Sequence, residues 1–353
     1  MKSKILLVAL LGLSIAGCKK TEELSGKPNN VEAASPEAQA AIAAGTTLPL
    51  TIQTIAGKTG EHFQFANGLD LADDGNLYVA DQNASLIRKV TPAGVVTTVP
   101  IPNSPDNGFA LHSPMRVRVQ KDGTINILTI NTVGVVAFNN MWIVKPNGQA
   151  LTPPFAPASS NNTNATRRSY DYDDLQTDKI TGDVWVSGVN LNTGNSMIQK
   201  FKISPQGYLG TDEINWPRDS VYRDPTVGNG PDVRTFYIGY NGVRYIVMNY
   251  KSIYKLTPSG VFTRIFRDLT FSNINCIVGT KDGRTLYIVD DAALKRIVDG
   301  KLQYISGPSK PFDAHDGVGV YADIRPIQLA LSKDESTLYF TDTRQLIRKV
   351  LLK

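Results

Sequence analysis

Apolar and polar residues alternate along most of this chain in short runs, and each run is bounded by residues that favour turns. One run covers Leu77 to Val79 and the next covers Ile87 to Val90, with β-branched and aromatic residues at alternating positions. This composition and period predict β-strands. Tight turns between strands are predicted by short segments rich in Gly, Pro and Asp, at 74–76, 91–94, 257–260 and 281–283.

The resulting strand-turn-strand unit recurs six times, at 77–99, 125–148, 184–207, 245–260, 286–306 and 338–353. One such unit cannot bury its own apolar faces, so units of this kind stack around an axis. A period of roughly 40 to 60 residues is typical of propeller blades. The pattern therefore predicts an all-β, six-bladed β-propeller over residues 48–353.

The two ends of the predicted propeller are complementary. Residues 48–57 have the pattern of an outer strand but precede the first complete unit, whereas the chain stops after three strands of the sixth unit. We expect the N-terminal strand to complete the last blade and close the ring, because closure leaves no outer strand missing. A five- or seven-bladed ring is the alternative.

The first 17 residues predict a secretory signal peptide. Two lysines precede an apolar run at 5–15, and two small residues precede Cys18. Residues 15–18 resemble the bacterial lipobox, which implies that Cys18 is lipidated and becomes the mature N-terminus. The alternative is an ordinary signal peptide with an incidental cysteine. Lipid on Cys18 would anchor the protein to a membrane without a spanning helix.

Residues 18–47 predict a flexible tether, because they are polar, lack aromatic residues and have few large aliphatic side chains. A short helix is compatible with the segment 31–44. Lys19 rather than Asp follows the cysteine, which resembles outer-membrane lipoproteins. We therefore expect the protein in the bacterial cell envelope, at the outer membrane and facing the periplasm or the cell surface.

Charge and cysteine content exclude some function classes. The chain carries a formal net charge of +5, which falls to +3 without the signal peptide. The basic residues are scattered, which argues against nucleic acid as a partner. Besides Cys18 the only cysteine is Cys276, which lies in an apolar run and is expected to be a buried, inert thiol.

Two segments resemble the NHL repeat. They are GLDLADDGNLYVADQNASLIRKVTPAGVVTTV at 68–99 and DGVGVYADIRPIQLALSKDESTLYFTDTRQLIRKV at 316–350. The resemblance is strong in the first, fifth and sixth units and weak in the others. Ala84 replaces the Asn that the family has in its strand-connecting loop. The resemblance implies a six-bladed propeller of NHL-like repeats.

Long connections between blades are the first candidate binding surface, at 100–113, 151–169, 210–232 and 307–325. Long loops on a rigid scaffold often carry function. Aromatic, arginine and histidine side chains in these loops suit sugar rings, peptides or a protein surface. The candidates are Trp216, Arg218, Tyr222, Arg223, Phe109 and His112. The alternative is that the aromatic rings only fold the loops onto the propeller.

The mouth of the central channel is the second candidate. Alignment of the inner strands puts Asn67, Met115, Asn275 and Ile327 at one level, with Arg116 beside Met115. Three acids, Asp171, Asp173 and Asp174, fall in the third inner strand, and Asp70 and Arg118 occupy equivalent positions in adjacent blades. These groups predict a polar collar, either for a ligand or for ion pairs between blades. The acids Asp81, Asp290 and Asp342 predict turn caps.

Catalysis has little support in the sequence. The chain has only three histidines and none of the metalloprotease, serine-hydrolase or P-loop motifs. Residues 313–317 superficially suggest a metal loop. The enzyme class to weigh is the six-bladed calcium-dependent lactonases, which hold their ion with carboxylate and amide oxygens. In this chain Asn67, Asp171 and Asn275 could take the place of those ligands, although the chain lacks the Glu-Gly-Pro motif of the lactonases. No cofactor is expected for a binding protein, and calcium is the alternative.

Together these patterns predict a membrane-anchored, extracytoplasmic binding module that recognises a glycan or a partner protein of the envelope through one face of the propeller. A calcium-dependent lactonase-like hydrolase or lyase with its site at the channel is the competing function. A scaffold without a small ligand is the third.

Overall fold

The computed structural model describes residues 34–57, 63–105, 108, 110–133, 136–152, 170–190, 193–204, 207–217, 220–222, 231–310 and 312–353. Most regular structure in these residues is β-strand, as the alternation of polar and apolar positions predicts. The described part begins with a helix, α1 at Pro36–Ala43, and a first strand, β1 at Thr51–Ala56. Across these residues, no helix has the length and apolar character that a membrane crossing needs.

The remaining strands form six blades. Blades 1 and 2 consist of β2 at Ala66–Leu71, β3 at Leu77–Asp81, β4 at Leu86–Val90, β5 at Val96–Val99, β6 at Pro114–Val119, β7 at Ile125–Val133, β8 at Val136–Val144 and β9 at Ala150–Leu151. Blades 3 and 4 consist of β10 at Tyr170–Thr177, β11 at Val184–Asn190, β12 at Asn195–Ser204, β13 at Gly207–Trp216, β14 at Val233–Ile238, β15 at Arg244–Met248, β16 at Ser252–Leu256 and β17 at Phe262–Ile265. Blade 5 consists of β18 at Ile274–Gly279, β19 at Thr285–Asp290, β20 at Ala293–Val298 and β21 at Lys301–Ser306. The connection to blade 6 contains the short strand β22 at Gly317–Val318 and a 3₁₀ turn at Gly319–Tyr321. Blade 6 contains β23 at Pro326–Leu331, β24 at Thr337–Asp342 and β25 at Leu346–Leu351.

Within each blade the strands are antiparallel neighbours in chain order, from the inner strand to the outer one. The inner strands contact one another around the axis: β2 lies against β6 and β23, β10 against β6 and β14, and β18 against β14 and β23. Every inner strand therefore has two neighbours, and the six of them surround a channel. The predicted all-β, six-bladed β-propeller is confirmed, and five or seven blades are excluded.

The outer position of blade 6 is occupied by β1. This strand pairs antiparallel with β25, with Ile52 opposite Val350 and Thr54 opposite Arg348. Its other edge pairs with β22 over two residues. The N-terminal strand therefore lies in the sheet where the sequence predicts it, while its contribution to holding the ring closed stays a prediction.

The core is distributed between neighbouring blades. Leu69 and Val79 of blade 1 pack with Ile347 of blade 6, and all three are fully buried. Each sheet thus buries both faces, as the repeat pattern requires. The channel itself is left to the side chains of the inner strands.

Buried acids fix the loops that lead into three of the inner strands. In blade 1, Asp81 accepts hydrogen bonds from the backbone N–H groups of Gln64 and Phe65 and pairs with Arg88 at 3.5 Å. Blades 5 and 6 repeat this arrangement with Asp290 beside Lys295 and Asp342 beside Arg348. These acids therefore cap the loops that lead into the inner strands. Asp342 also caps the turn after its own strand, as the sequence predicts, because it accepts a hydrogen bond from the backbone N–H of Arg344 at 3.0 Å.

Helix α1 packs on blade 5. Its Ala38 is 4% exposed and contacts Ala293 and Tyr304. Glu37 forms an ion pair with Lys295, whose side chain is itself buried. Isolated helices of this length are marginal in water, so these contacts rather than intrinsic propensity hold the helix.

The position of α1 corrects the predicted tether. Residues 34–47 were expected to be flexible, but in the structure they lie against blade 5, and Thr47 forms a bridge with Tyr304. Within the described residues, packing against the propeller therefore includes residues 34–47 as well as the predicted domain from residue 48. The predicted signal peptide at 1–17, Cys18 and the rest of the tether lie outside the described residues.

Candidate functional site

The inner strand of every blade contains a β-bulge near its first residue. These bulges lie on the face of the ring that carries the connections between blades, which we term the loop face. A bulge adds one unpaired residue to a strand and re-aims its side chain. The bulged residues are Asn67, Met115, Asp173, Arg234, Asn275 and Ile327, followed in blade 6 by Gln328.

Because the inner strands line the channel, these six residues surround its mouth on the loop face, and each is at least partly exposed. Four of the repeats give this alignment from sequence alone. The structure adds Asp173 and Arg234 from blades 3 and 4, where the repeat signal is weak. The mouth is therefore a ring of two amides, one acid, one guanidinium and two apolar side chains.

Arg234 is the most strongly anchored side chain of this ring. Its guanidinium donates to Asp173 at 2.7 Å and to Asp232 at 3.0 Å, and it lies over the ring of Tyr250 at 5.4 Å. Burial opposes its charge, but the two carboxylates outweigh burial and raise the pKa of Arg234. The side chain is 46% exposed, so it is held in place and still accessible to a ligand.

Tyr250 is held in a conformation that bulky residues rarely adopt. It follows Asn249 in the tight turn between β15 and β16, where φ is 61° for Tyr250 and 52° for Asn249. Left-handed backbone at a non-glycine residue costs on the order of 1 kcal/mol or more and is often found at functional sites. Asn249 accepts a hydrogen bond from the backbone of Asp232 and donates one to the carbonyl of Tyr222. The turn thus fixes both Tyr250 and the loop that carries Asp232.

A second polar layer lies one residue deeper in the channel. Arg116 donates to Asp174 at 3.2 Å and to the Asn67 side chain at 3.1 Å, and Thr235 donates to the other oxygen of Asp174 at 2.8 Å. Asp174 is fully buried. These hydrogen bonds join blades 1 to 4, so this layer is chiefly a link between blades.

The remaining predicted collar residues also link blades. Arg118 is 4% exposed and donates to the backbone carbonyl of Leu69 in the neighbouring blade. Asp70 accepts a hydrogen bond from the backbone N–H of Val119 at 2.8 Å. Both side chains therefore satisfy backbone groups of the adjacent blade, which is the structural alternative that the sequence left open.

Two described oxygen-bearing side chains of the channel, Asn67 and Asp174, are poorly placed to hold a calcium ion. Calcium needs about six to eight oxygen ligands. The side-chain oxygen of Asn67 and one oxygen of Asp174 already accept hydrogen bonds from Arg116, and the Asn67 amide group donates to Gln82 at 2.7 Å. A fixed guanidinium thus lies beside Asn67, one of the three predicted calcium ligands.

The aromatic loop residues are placed differently from the expectation. Trp216 is the last residue of β13 and is 4% exposed, with its ring 5.2 Å from that of Phe262. Tyr222 packs edge-on against Tyr254 and Phe262. Both lie with the outer strands, away from the channel. Burial therefore contradicts the predicted binding role of Trp216, whereas Tyr222 is only partly buried and its binding role stays a prediction.

Of the other predicted loop residues, the structure describes only His112. His112 is exposed, and its Nδ1 is 3.4 Å from the carbonyl oxygen of Ile130. Phe109, Arg218 and Arg223 lie outside the described residues. Of the predicted binding residues, the structure brings together Asn67, Arg116 and Asn275 at the channel.

Sequence reasoning missed Arg234, Asp232 and Tyr250. Their signal was present, because Arg234 is the second residue of its inner strand, as Asn67 and Asn275 are of theirs. It was hidden by the weak resemblance of the fourth unit to the other repeats.

No protein-family model matches the chain, and no curated protein matches its sequence. Solved structures are similar in fold. An auxiliary nutrient binding protein from Bacteroides thetaiotaomicron has a TM-score of 0.59 and 12% identity, over 85% of this chain and 76% of that one. A gluconolactonase from Xanthomonas campestris has a TM-score of 0.56 and 10% identity, over 88% and 92% of the two chains. A streptogramin B lyase has a TM-score of 0.54 and 13% identity, over 86% and 98%. These similarities establish a common propeller fold.

Proposed function

We propose that the protein is a binding module that takes a glycan at the mouth of its channel on the loop face. The observation that carries the proposal is the bulge at the same position of all six inner strands. Six bulges turn six side chains to one opening, and four of these side chains are polar. The proposed site includes two of the sequence-based candidates, Asn67 and Asn275. It lies at the channel mouth and does not depend on the aromatic residues of the loops.

The chemistry of the mouth suits hydroxyl groups. The amide of Asn275 offers donors and an acceptor, Asp173 accepts and Arg234 donates. Asn67 contributes the second amide hydrogen and the second oxygen lone pair, beside its hydrogen bonds with Gln82 and Arg116. A sugar hydroxyl can use all of these groups. Arg234 is already oriented by two carboxylates and by Tyr250, so that ordering it on binding costs little conformational entropy.

A structural neighbour supports a binding role. The auxiliary nutrient binding protein from Bacteroides thetaiotaomicron shares the propeller fold. Its identity of 12% transfers no ligand, so we take from it only that a similar propeller serves in binding. A partner protein of the envelope, in place of a glycan, is the other ligand that the mouth would accommodate.

The competing enzyme function has less support. The gluconolactonase and the lyase share the fold, but Arg116 donates to Asn67, one of the three predicted calcium ligands. Cys276 is 1% exposed, and burial raises the pKa of its thiol to about 12, so it is no nucleophile. A binding role therefore needs fewer assumptions than a catalytic one.

Binding at the mouth predicts which substitutions weaken affinity. A soluble chain that starts at residue 19 is screened on a glycan array, and the affinity for the best glycan is measured by calorimetry. We expect Arg234→Ala and Asn275→Ala each to weaken binding about tenfold or more, since each removes hydrogen bonds to the ligand worth about 1–3 kcal/mol.

The matched control is Arg284→Ala. Arg284 also pairs with an acid, Asp299, but it lies in a turn on the opposite face and is 68% exposed. It is expected to bind as the wild type does. Loss of affinity in the Arg284 variant, or normal affinity in both mouth variants, would place the ligand elsewhere.

We also propose that the protein is a lipoprotein built of NHL-type repeats. The lipobox-like segment at 15–18 supports the anchor. The shared pairing of an acid with a basic residue in blades 1, 5 and 6 supports a common repeat, because these are the blades with the strongest NHL resemblance. The proposed location is the outer membrane of a bacterial envelope.

Lipid anchoring predicts a clear effect of Cys18→Ala. Without the acylated thiol, the folded protein is expected to move from the detergent phase to the aqueous phase in a detergent-partitioning assay, because acyl chains supply the membrane affinity. Cys276→Ala is the control and should partition as the wild type does. Equal partitioning of the Cys18 variant and the wild type would rule out the lipid anchor.

A further inference from the structure

The connection from blade 5 to blade 6 contains a histidine between two acids. Asp313 is exposed, Asp323 is fully buried, and His315 is partly buried. The nearest ligand atoms of the three side chains all lie within 4.8 Å of one another. This cluster lies away from the channel mouth and has no part in the proposed glycan site.

The carbonyl of Tyr321 fixes the protonation of His315 on one side. The Nε2 atom of His315 is 2.8 Å from this carbonyl oxygen. A carbonyl oxygen only accepts, so Nε2 must carry the proton and donate it. The neutral imidazole then has its lone pair on Nδ1. A hydrogen bond from the far nitrogen to a backbone carbonyl is also the arrangement that orients metal-binding histidines.

The lone pair of His315 faces a carboxylate. Nδ1 is in close contact with a side-chain oxygen of Asp313. Two acceptors repel each other unless a positive group lies between them. At this close contact only a proton fits, so a metal ion needs the exposed Asp313 side chain to move back. Asp323 adds a third acceptor to the same small volume.

The surroundings hold the acceptors in place. Oδ2 of Asp323 accepts hydrogen bonds from the Ser309 hydroxyl at 2.8 Å and from the backbone N–H groups of Asp313 at 2.6 Å and Ala314 at 3.4 Å. Oδ1 accepts only one of these bonds, from the backbone N–H of Ser309 at 2.8 Å, so it is the oxygen that an ion would use. The guanidinium of Arg348, which is fully buried, donates to the backbone carbonyl of His315 at 2.7 Å. The Asp313 side chain is 63% exposed, so it can adjust and leaves a path from solvent. The cluster is thus rigid on two sides and open on the third.

We propose that Asp313, His315 and Asp323 bind a divalent transition-metal ion of the zinc class. One imidazole nitrogen and two carboxylate oxygens suit zinc or manganese better than calcium, which prefers oxygen ligands alone. The ion joins the exposed Asp313 to the buried Asp323, so it fastens the connection to blade 6. Three protein ligands leave a fourth, tetrahedral position for water.

The test uses the soluble chain that starts at residue 19, freed of metal by chelation and dialysis. Zinc chloride is titrated in by calorimetry, and manganese and calcium chlorides are titrated in parallel. We expect one zinc ion per chain at micromolar affinity or tighter, weaker manganese and no calcium binding. Saturating zinc is expected to raise the melting temperature by several degrees.

Two variants separate this site from incidental binding. Asp313→Asn keeps the shape of an exposed side chain, and His315→Gln keeps a donor for the Tyr321 carbonyl, so both are expected to fold. Each should weaken zinc binding at least tenfold, whereas His112→Gln, which removes an exposed histidine elsewhere, should leave it unchanged. Asp323 is kept because its carboxylate holds the loop.

Three results would overturn the proposal. They are no zinc binding at 100 micromolar zinc, zinc binding that survives both variants, and zinc binding lost in the His112 variant. In the metal-free protein, NMR of the imidazole nitrogens of His315 identifies the alternative. If both imidazole nitrogens of His315 carry a proton and zinc does not bind, the contact between His315 and Asp313 is an ion pair.

Discussion

Removal of the first strand is expected to cost the propeller most of its stability. A chain that starts at residue 58 lacks β1, and with it the buried Ile52 and Ala56 and the whole pairing with β25. Burial of Ile52 alone contributes about 1.5–3 kcal/mol, and each backbone hydrogen bond of the lost pairing contributes about 1 kcal/mol. The sum approaches the roughly 5–15 kcal/mol that a folded domain has in total.

The loss should also cause aggregation. Without β1, the outer edge of β25 exposes unpaired N–H and C=O groups, which are a template for pairing with another chain. We therefore expect a melting temperature lowered by more than about 10 °C and soluble aggregates in size-exclusion chromatography.

A series of N-terminal truncations tests this expectation. Chains that start at residues 19, 34, 46 and 58 are compared by thermal unfolding. The first two are expected to melt together, because both keep every described contact. The chain from residue 46 should melt somewhat lower, since it loses α1 and the Glu37–Lys295 ion pair but keeps β1. If the chain from residue 58 melts with the others, β1 does not hold the ring closed.

The repeat pattern predicted the fold because blade formation is a local property. Each strand and turn is encoded within a few residues, as Asp74 to Asn76 and Leu77 to Val79 illustrate. The number of blades followed from counting. The docking of α1 could not be predicted in this way, because its contacts with Tyr304 and Lys295 come from residues about 260 positions away.

The candidate site was only partly predictable for a related reason. Asn67 and Asn275 were found because their blades align well, whereas Arg234 required the register of a weakly similar blade. Trp216 shows the opposite problem. An aromatic residue near a long loop has the same sequence signal whether it faces a ligand or the core, and here Phe262 and the outer strands bury it.

Substitution of Asp174 by Ala is expected to have the second large effect, through the charges it leaves behind. The Asp174 side chain is fully buried and lies 3.2 Å from Arg116 and 4.0 Å from Arg118, whose side chains are 15% and 5% exposed. Its loss leaves two guanidinium groups largely out of water without their acid. Breaking one side of a buried ion pair costs about 3–5 kcal/mol.

Four further variants identify the cause of that loss. Asp299→Ala breaks an ion pair with Arg284 whose side chains are 60% and 68% exposed, and it should leave the melting temperature nearly unchanged. Asp174→Asn keeps the shape and an acceptor for Thr235, so it should fall between the two alanine variants. If charge is the cause, adding Arg116→Ala to Asp174→Ala should cost less than the sum of the two single losses, because the second change removes a charge that the first left unpaired. Strictly additive losses would mean that the layer stabilises the ring by packing alone.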